Sequence, residues 1–370
     1  MNKRILYISN TSWYLYNFRH NIMEIMLSKG YDIYAVAPFD DYSDKLIKLG
    51  VKYIDIEFDR SDKSPVSNVR IILKLITIYN KIKPDILHQL TIKPVLFGTI
   101  AARIVGLKKI INSITGLGNA FANENLLKRF IIQSYRIVFN SKSVSVIFQN
   151  PDDMGEFLDH SIASNSNSTL ILGSGVNTSE FKSTGKSSGK GKIRFSIFCR
   201  MSWEKGVNDF IEAAKKTWEQ NKNTEYFLVG GIDEDNPKGI SEAWLQNAAK
   251  HPAIHWTSFV DDVFPWLEKS DIVVLPSLFR EGVPRSLIEA ASMEKPIIAT
   301  NVPGCREIVD DGVNGILIPS GDVRLLAESM LRLSEDVKLR EQMGRAGRDR
   351  VVKYFDEKIV ISKTIQLYEK

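Results

Sequence analysis

The chain of 370 residues is 44% hydrophobic and 25% charged, which fits a soluble globular protein of two domains and excludes disordered and fibrous classes. Its two cysteines, Cys199 and Cys305, lie far apart with no His or Cys at ligand spacing, which argues against a disulfide scaffold or structural zinc and for a reducing compartment. The net charge of +5 is too small for a nucleic-acid binder, and no apolar run reaches the ~18 residues that cross a bilayer. The surplus charge is uneven. Residues 1–180 carry 21 Lys and Arg against 16 Asp and Glu, whereas residues 181–370 carry 28 of each. Within 103–142, seven basic residues stand against Glu124 alone.

The chain alternates strand and helix twice over. Residues 5–9 are a short apolar run ending in small polar residues, as a buried parallel strand does. A helix follows, with Phe18, Ile22, Ile25 and Met26 on one face and Gly30 as its stop. Further strands are expected at 31–37, 51–58, 86–88, 110–114 and 143–149, with helices at 43–49, 68–82 and 94–105. At 182–192 the pattern gives way to Gly, Ser and Lys without an apolar residue, a linker composition. The rhythm restarts with strands at 193–199, 226–229, 254–259, 272–275, 297–299 and 315–318. Its helices fall at 207–218, 286–293, 322–335 and 337–354. Such alternation implies parallel sheets with right-handed crossovers. The expected fold class is therefore α/β: two doubly wound, Rossmann-like domains facing across a cleft. They take residues 1–180 and 193–355, joined by a linker at 181–192, with a last helix at 356–370 packing back on the first domain.

Several chemistries lack their motifs. After the first strand stands Ser9-Asn10-Thr11-Ser12-Trp13 rather than G-x-G-x-x-G, so a dinucleotide cofactor is not expected. The chain has no Walker-type phosphate loop, no G-x-S-x-G elbow and no H-E-x-x-H zinc site. The chemically densest stretch is 271–307, where an apolar run passes through Ser277, Glu281, Gly282, Val283 and Pro284 into a helix carrying Ser286, Leu287 and Glu289. Pro284 suits a helix start, and the amides of a first helical turn form a ready phosphate site. Glu281 and Glu289 can each accept hydroxyl hydrogen bonds from a polyol; the plainer alternative is two acids stabilising a helix start.

This stretch resembles the E-x7-E motif of the family 4 retaining glycosyltransferases, which have the two-domain GT-B fold. Arg200 through Lys205 and Gly206 look like that family's strand-end R-x4-K-G, and Gly173 to Asn177 with Phe181 like its domain junction. The resemblance implies that Arg200 and Lys205 hold the diphosphate of a UDP-sugar, helped by the backbone at Ser286 and Leu287. It places Glu289 on the ribose hydroxyls, Glu281 on the sugar, and Gly282 and Val283 in the donor loop. Two cations and a helix N-terminus would stabilise the charge that grows on the leaving diphosphate. It implies no metal and no cofactor, only the UDP-sugar as substrate. Asp233-Glu234-Asp235 matches a D-x-D metal motif but reads as an acidic loop, and Cys199 as a strand residue rather than a nucleophile.

Two departures stand out. The first strand–helix loop lacks the glycine of many relatives, and Ile114-Thr115-Gly116-Leu117-Gly118 lacks their histidine. The latter loop resembles instead the subgroup that builds undecaprenyl-diphosphate-linked glycans, which makes the Gly116 and Gly118 backbone the candidate for contact with the transferred sugar. Tyr16 and Arg19 fall in the part resembling that subgroup's acceptor side. His88 fits either an acceptor site or a hydrogen-bonded structural role. Lys128, Arg129 and Arg136 beside the apolar residues of 126–138 fit either a helix lying on an anionic membrane or gripping a lipid diphosphate, or a core-packed helix with a solvated basic edge. The resulting expectation is a UDP-sugar-dependent transferase acting on a polyprenyl-diphosphate glycan at the cytoplasmic membrane face, N-acetylhexosamine being favoured as the sugar, without nucleic acid. A UDP-sugar 2-epimerase and a non-catalytic nucleotide-sugar-binding subunit are the alternatives.

Overall fold

Thirteen strands form two separate parallel sheets in the computed structural model, which describes all residues except 1, 59–63, 118–125, 185–190 and 235. The chain divides into unit 1, residues 1–171 with 361–370, and unit 2, residues 172–360. Unit 1 contains β1 (Arg4–Ile8), β2 (Asp32–Ala37), β3 (Lys52–Asp55), β4 (Ile86–Leu90), β5 (Ile110–Ile114), β6 (Val144–Phe148) and β7 (Ser168–Leu170), in the order 3-2-1-4-5-6-7. Unit 2 contains β8 (Ile193–Phe198), β9 (Thr224–Val229), β10 (Ile254–Trp256), β11 (Ile272–Leu275), β12 (Ile297–Thr300) and β13 (Gly315–Ile318), in the order 10-9-8-11-12-13. Each order reverses at its first strand, β1 or β8. That reversal is the doubly wound signature, and it marks where ligands bind beyond the strand ends.

The central strands β4, β5, β11 and β12 are buried at every residue. Helices cover both faces of such a sheet, so the apolar runs need not alternate with polar residues. In unit 1, the helices Pro65–Ile82, Thr99–Val105 and Leu126–Phe139 pack on one face. Ile71, Leu75, Ala102, Tyr135 and Phe139 share a core there with Leu6, Ile8, Leu87 and Val146.

Some boundaries differ from those expected. The strand expected at 51–58 is paired only over β3, and that at 254–259 ends at Trp256, before Ser258 turns left-handed at φ +62°. The 94–105 helix begins with a π-helical turn, Pro94–Gly98, lying over the buried Gln89 amide, which donates to Thr99 and Asn112 at 2.9 Å. The first helix, Ser12–Ser28, buries Leu15, Arg19, Ile22, Met23 and Met26, while Ile25 is exposed. Its core stripe thus runs 15, 19, 22, 26, one helical step from the stripe expected. The last helix, Glu357–Glu369, buries Leu367 and Tyr368.

Candidate functional site

The candidate site of unit 2 is built where β8 and β11 release the chain. After β8 come Cys199, Arg200 and Met201, then the 3-10 turn Trp203–Lys205 and Gly206 at φ +69°. A Cβ on Gly206 would lie 1.9 Å from the Pro276 carbonyl oxygen, so only glycine lets this loop close on the end of β11. That closure sets Lys205 against the loop leading into the helix Arg285–Ser292. Gly304, at φ +93°, backs the same loop: a Cβ there would lie 2.0 Å from the Gly282 carbonyl oxygen. The Glu281 amide donates to the Pro303 carbonyl at 2.8 Å.

Three ion pairs result. Lys205 Nζ donates to Glu281 Oε1 at 2.6 Å and Oε2 at 2.7 Å, and Ser277 Oγ donates to Oε1 at 2.6 Å. The two side chains are only 23% and 15% exposed. Burial alone would lower the Lys205 pKa, but the charge and hydrogen bonds of Glu281 outweigh it and hold the ammonium above its ordinary value. Arg200 Nη1 donates to Asp233 Oδ2 at 2.5 Å, and Asn236 Nδ2 reaches the same oxygen at 3.0 Å. Asp233 is buried while the Arg200 side chain is 60% exposed. This single bond leaves four of the five guanidinium N–H groups for another anion. Arg285 Nε donates to Glu289 Oε1 at 2.7 Å. Burial raises the Glu289 carboxyl above its ordinary pKa, against the lowering charge of Arg285.

The structure corrects one detail of the expected phosphate cradle. The Leu287 amide already donates to the Pro284 carbonyl at 3.1 Å and its side chain is fully buried, so it offers no free donor. Its neighbour Ser286 is only partly buried on the first turn. Val283 is buried in the unit 2 core. Desolvation pushes the Cys199 thiol up to about 12, which keeps it protonated at neutral pH. Among the described residues no three His, Cys, Asp or Glu side chains converge as a metal cluster, and Asp233 is engaged by Arg200.

The unit 1 residues fall into different surroundings. His88 is 1% exposed and both ring nitrogens are engaged, Nδ1 with Tyr368 Oη at 2.6 Å and Nε2 with Ser113 Oγ at 2.8 Å. It therefore ties the last helix to the sheet rather than meeting a surface ligand. Burial, followed by the charge of Arg19, lowers its pKa well below the ordinary value. Arg19 is buried and donates to the Phe18 carbonyl at 2.8 Å. Tyr16 stacks on His20 with ring centres 5.1 Å apart, and the Lys45 ammonium lies over its ring. Gly116 adopts φ +121°; Gly118 lies outside the described residues, as do the side chains of Lys128 and Arg129. Arg136 is exposed and donates to the His160 carbonyl at 2.7 Å. Its helix is core-packed through Ile132, Tyr135, Val138 and Phe139, with Ile137 turned outward.

The sequence reading does not single out Ser277, Arg285 or Tyr368 as partners, and it takes Asp233 as part of an acidic loop. Ser277 and Arg285 had a usable signal, each standing four residues before a motif glutamate. The Asp233–Arg200 and Tyr368–His88 pairs join residues 33 and 280 positions apart, and no local pattern marks them.

Comparison with known proteins matches residues 192–336 to the family profile "Glycosyl transferases group 1" and residues 4–150 to "Glycosyl transferase 4-like", together more than three quarters of the chain. A Campylobacter jejuni N,N'-diacetylbacillosaminyl-diphospho-undecaprenol alpha-1,3-N-acetylgalactosaminyltransferase is 27% identical, the match covering 99% of this chain and 98% of that protein. An Escherichia coli UDP-Gal:alpha-D-GlcNAc-diphosphoundecaprenol alpha-1,3-galactosyltransferase is 23% identical over 93% and 90% of the two chains. Among solved structures, a Rickettsia africae glycosyltransferase aligns with a TM-score of 0.79 at 18% identity, over 100% of this chain and 98% of that one. The Anabaena protein Alr3699/HepE, solved in complex with UDP, aligns with a TM-score of 0.77 at 16% identity over the full length of both.

Proposed function

For a chain that belongs to the group 1, family-4-like glycosyltransferases, we propose a donor and an acceptor. It transfers an N-acetylhexosamine, with GalNAc favoured, from a UDP-sugar to a polyprenyl-diphosphate-linked glycan, retaining the anomeric configuration, in the assembly of a bacterial surface polysaccharide or glycoprotein glycan. The Campylobacter relative, matched over nearly the whole of both chains, supports this donor and acceptor, and the UDP complex of a like-folded protein supports the nucleotide. The acceptor class would set the enzyme at the inner face of the cell membrane as a peripheral protein. Among the described residues no helix is long and apolar enough to cross it.

The observation that carries the reading is the Lys205–Glu281–Ser277 cluster beside the Arg285–Ser292 helix. Arg200 and Lys205 would lie along the diphosphate, each oriented by a carboxylate that leaves some of its N–H groups free. As the bond from the anomeric carbon to the diphosphate breaks, negative charge grows on the leaving oxygen, and these fixed cations stabilise it without reorganising. The acceptor hydroxyl attacks from the same face and its proton passes to the departing phosphate, so no carboxylate nucleophile is required. Glu289 would accept the ribose hydroxyls, exchanging part of its bond to Arg285, and Glu281 would contact the sugar. Ser286, on the partly buried first turn, is the remaining backbone candidate at the phosphate.

UDP release from a panel of UDP-sugars, with and without a polyprenyl-diphosphate disaccharide, tests the reading. Acceptor-dependent release and an α-linked product by NMR are expected. An isomerised UDP-sugar formed without acceptor, or an inverted product, would overturn it.

A further inference from the structure

Of the ten large apolar side chains exposed among the described residues of unit 1, five lie on one helical layer, and these include the four most exposed. On the 65–82 helix, Val66 is 69% exposed, Val69 55% and Leu73 58%. Their i, i+3, i+7 spacing aligns them along one outward line, while Ile71, Leu75 and Tyr79 of the same helix enter the core. Arg70 and Lys74 are exposed between and beside them. The 99–105 helix packs alongside and adds Arg103 and Ile104, the latter 63% exposed. The 126–139 helix adds Arg136 and Ile137, the latter 62% exposed. The Arg103 guanidinium donates to the Ile137 carbonyl, which joins these two helices. All three share one core on the same face of the sheet, so their outer sides make one surface.

Its charge has one sign. Residues 65–142 carry 12 Lys and Arg against Asp85 and Glu124. Among the described residues Arg70, Lys74, Arg103 and Arg136 have no acidic partner within ion-pair distance. A single exposed aliphatic residue needs no explanation, but a line of them rimmed by unpaired cations marks an interaction surface. Aliphatic residues beside cations on a helix match the headgroup boundary of an anionic bilayer: the apolar groups enter the acyl edge and the cations meet the phosphates.

We propose that the outer layer formed by the 65–82, 99–105 and 126–139 helices is a docking surface for an anionic phospholipid membrane, led by Val66, Val69 and Leu73. It takes its biological setting from the lipid-linked acceptor read above. It assigns the contact chiefly to the 65–82 helix rather than to the basic 126–139 helix alone.

The test is sedimentation of the full chain with vesicles of phosphatidylcholine, with and without phosphatidylglycerol. Binding is expected only to the anionic vesicles, weakening as salt is raised. Val69→Ser with Leu73→Ser is expected to weaken that binding about tenfold or more. Arg70→Glu with Lys74→Glu is expected to abolish its salt dependence. Both variants should keep the wild-type unfolding midpoint and wild-type turnover on a short, water-soluble prenyl-diphosphate acceptor. No binding of the wild type to anionic vesicles, equal binding to neutral ones, or undiminished binding of the serine variant would each overturn the proposal. Vesicle binding through this face without any acceptor-dependent UDP release would leave the surface standing and remove the acceptor reading. Turnover in detergent by a chain that ignores vesicles would do the reverse.

Discussion

Lys205, Arg200 and Arg285 each carry a carboxylate partner, so the candidate site holds its cations in place at no net charge of their own. Partner and cation then have separable roles. Lys205→Ala removes the cation nearest Glu281 and is expected to cut kcat by about 10²–10³-fold, as loss of a charge-stabilising donor does, with the fold retained by circular dichroism. Asp233→Asn keeps volume but removes the charge that orients Arg200. It is expected to lower kcat/KM about tenfold, chiefly through KM for the UDP-sugar, with an unfolding midpoint close to wild type; unchanged kinetics would deny Asp233 any positioning role. The glutamates and the two cations were legible in the sequence because each sits in a short local motif after an apolar strand. Asp233 was visible as a residue but not as a partner, since what it holds is brought to it only by the pairing of β8 with β9.

At the scale of elements, the same backbone conformation serves two different ends. Gly206 and Gly312 both have positive φ, +69° and +75°, but a Cβ on Gly206 strikes the Pro276 carbonyl whereas one on Gly312 meets nothing within 4 Å. Gly312→Ala should therefore cost only the left-handed strain, about 1 kcal/mol. Gly206→Ala adds a backbone collision and should cost at least about 2 kcal/mol, with loss of turnover as Lys205 is displaced. Urea unfolding of the two variants side by side measures the difference. The alternating strands and helices were readable from their apolar runs. Strand ends were not, because buried apolar residues continue past the last paired one, as Ile56 and Phe58 do beyond β3. The three-residue β7 carries too short a pattern to be seen, and the helix stripe shifted from Ile25 to Leu15 because Arg19 occupies a core position that hydrophobicity alone cannot assign.

Across the whole molecule, unit 1 is completed by residues from the far end of the chain. His88 lies beneath Tyr368, which also donates to Tyr7 Oη at 3.0 Å. The folded state keeps His88 neutral well below the ordinary pKa of 6.5, while the unfolded chain takes up the proton there. Stability is thus full above about pH 6.5 and falls as the pH drops below it, by at most about 1.4 kcal/mol per pH unit for this one proton. His88→Gln is expected to flatten that acid limb in denaturant titrations run between neutral and acid pH. Tyr368→Phe, which keeps the ring and loses the hydroxyl bonds, should cost about 1 kcal/mol. The His88–Tyr368 bond that anchors the last helix was not legible, because it joins residues 280 positions apart.

That anchoring has a consequence for biosynthesis. Residues 172–360 all emerge from the ribosome between the two pieces of unit 1, an interval of roughly 10–40 s at about 5–20 residues per second. Unit 2 is continuous in sequence and has everything its own core requires before translation reaches Tyr368. Throughout that interval His88 and Tyr7 of the nascent first unit lack their Tyr368 partner. Chaperone occupancy on stalled nascent chains should therefore persist on the first-made unit until residues 361–370 have emerged, and the second-made unit should become protease-resistant first.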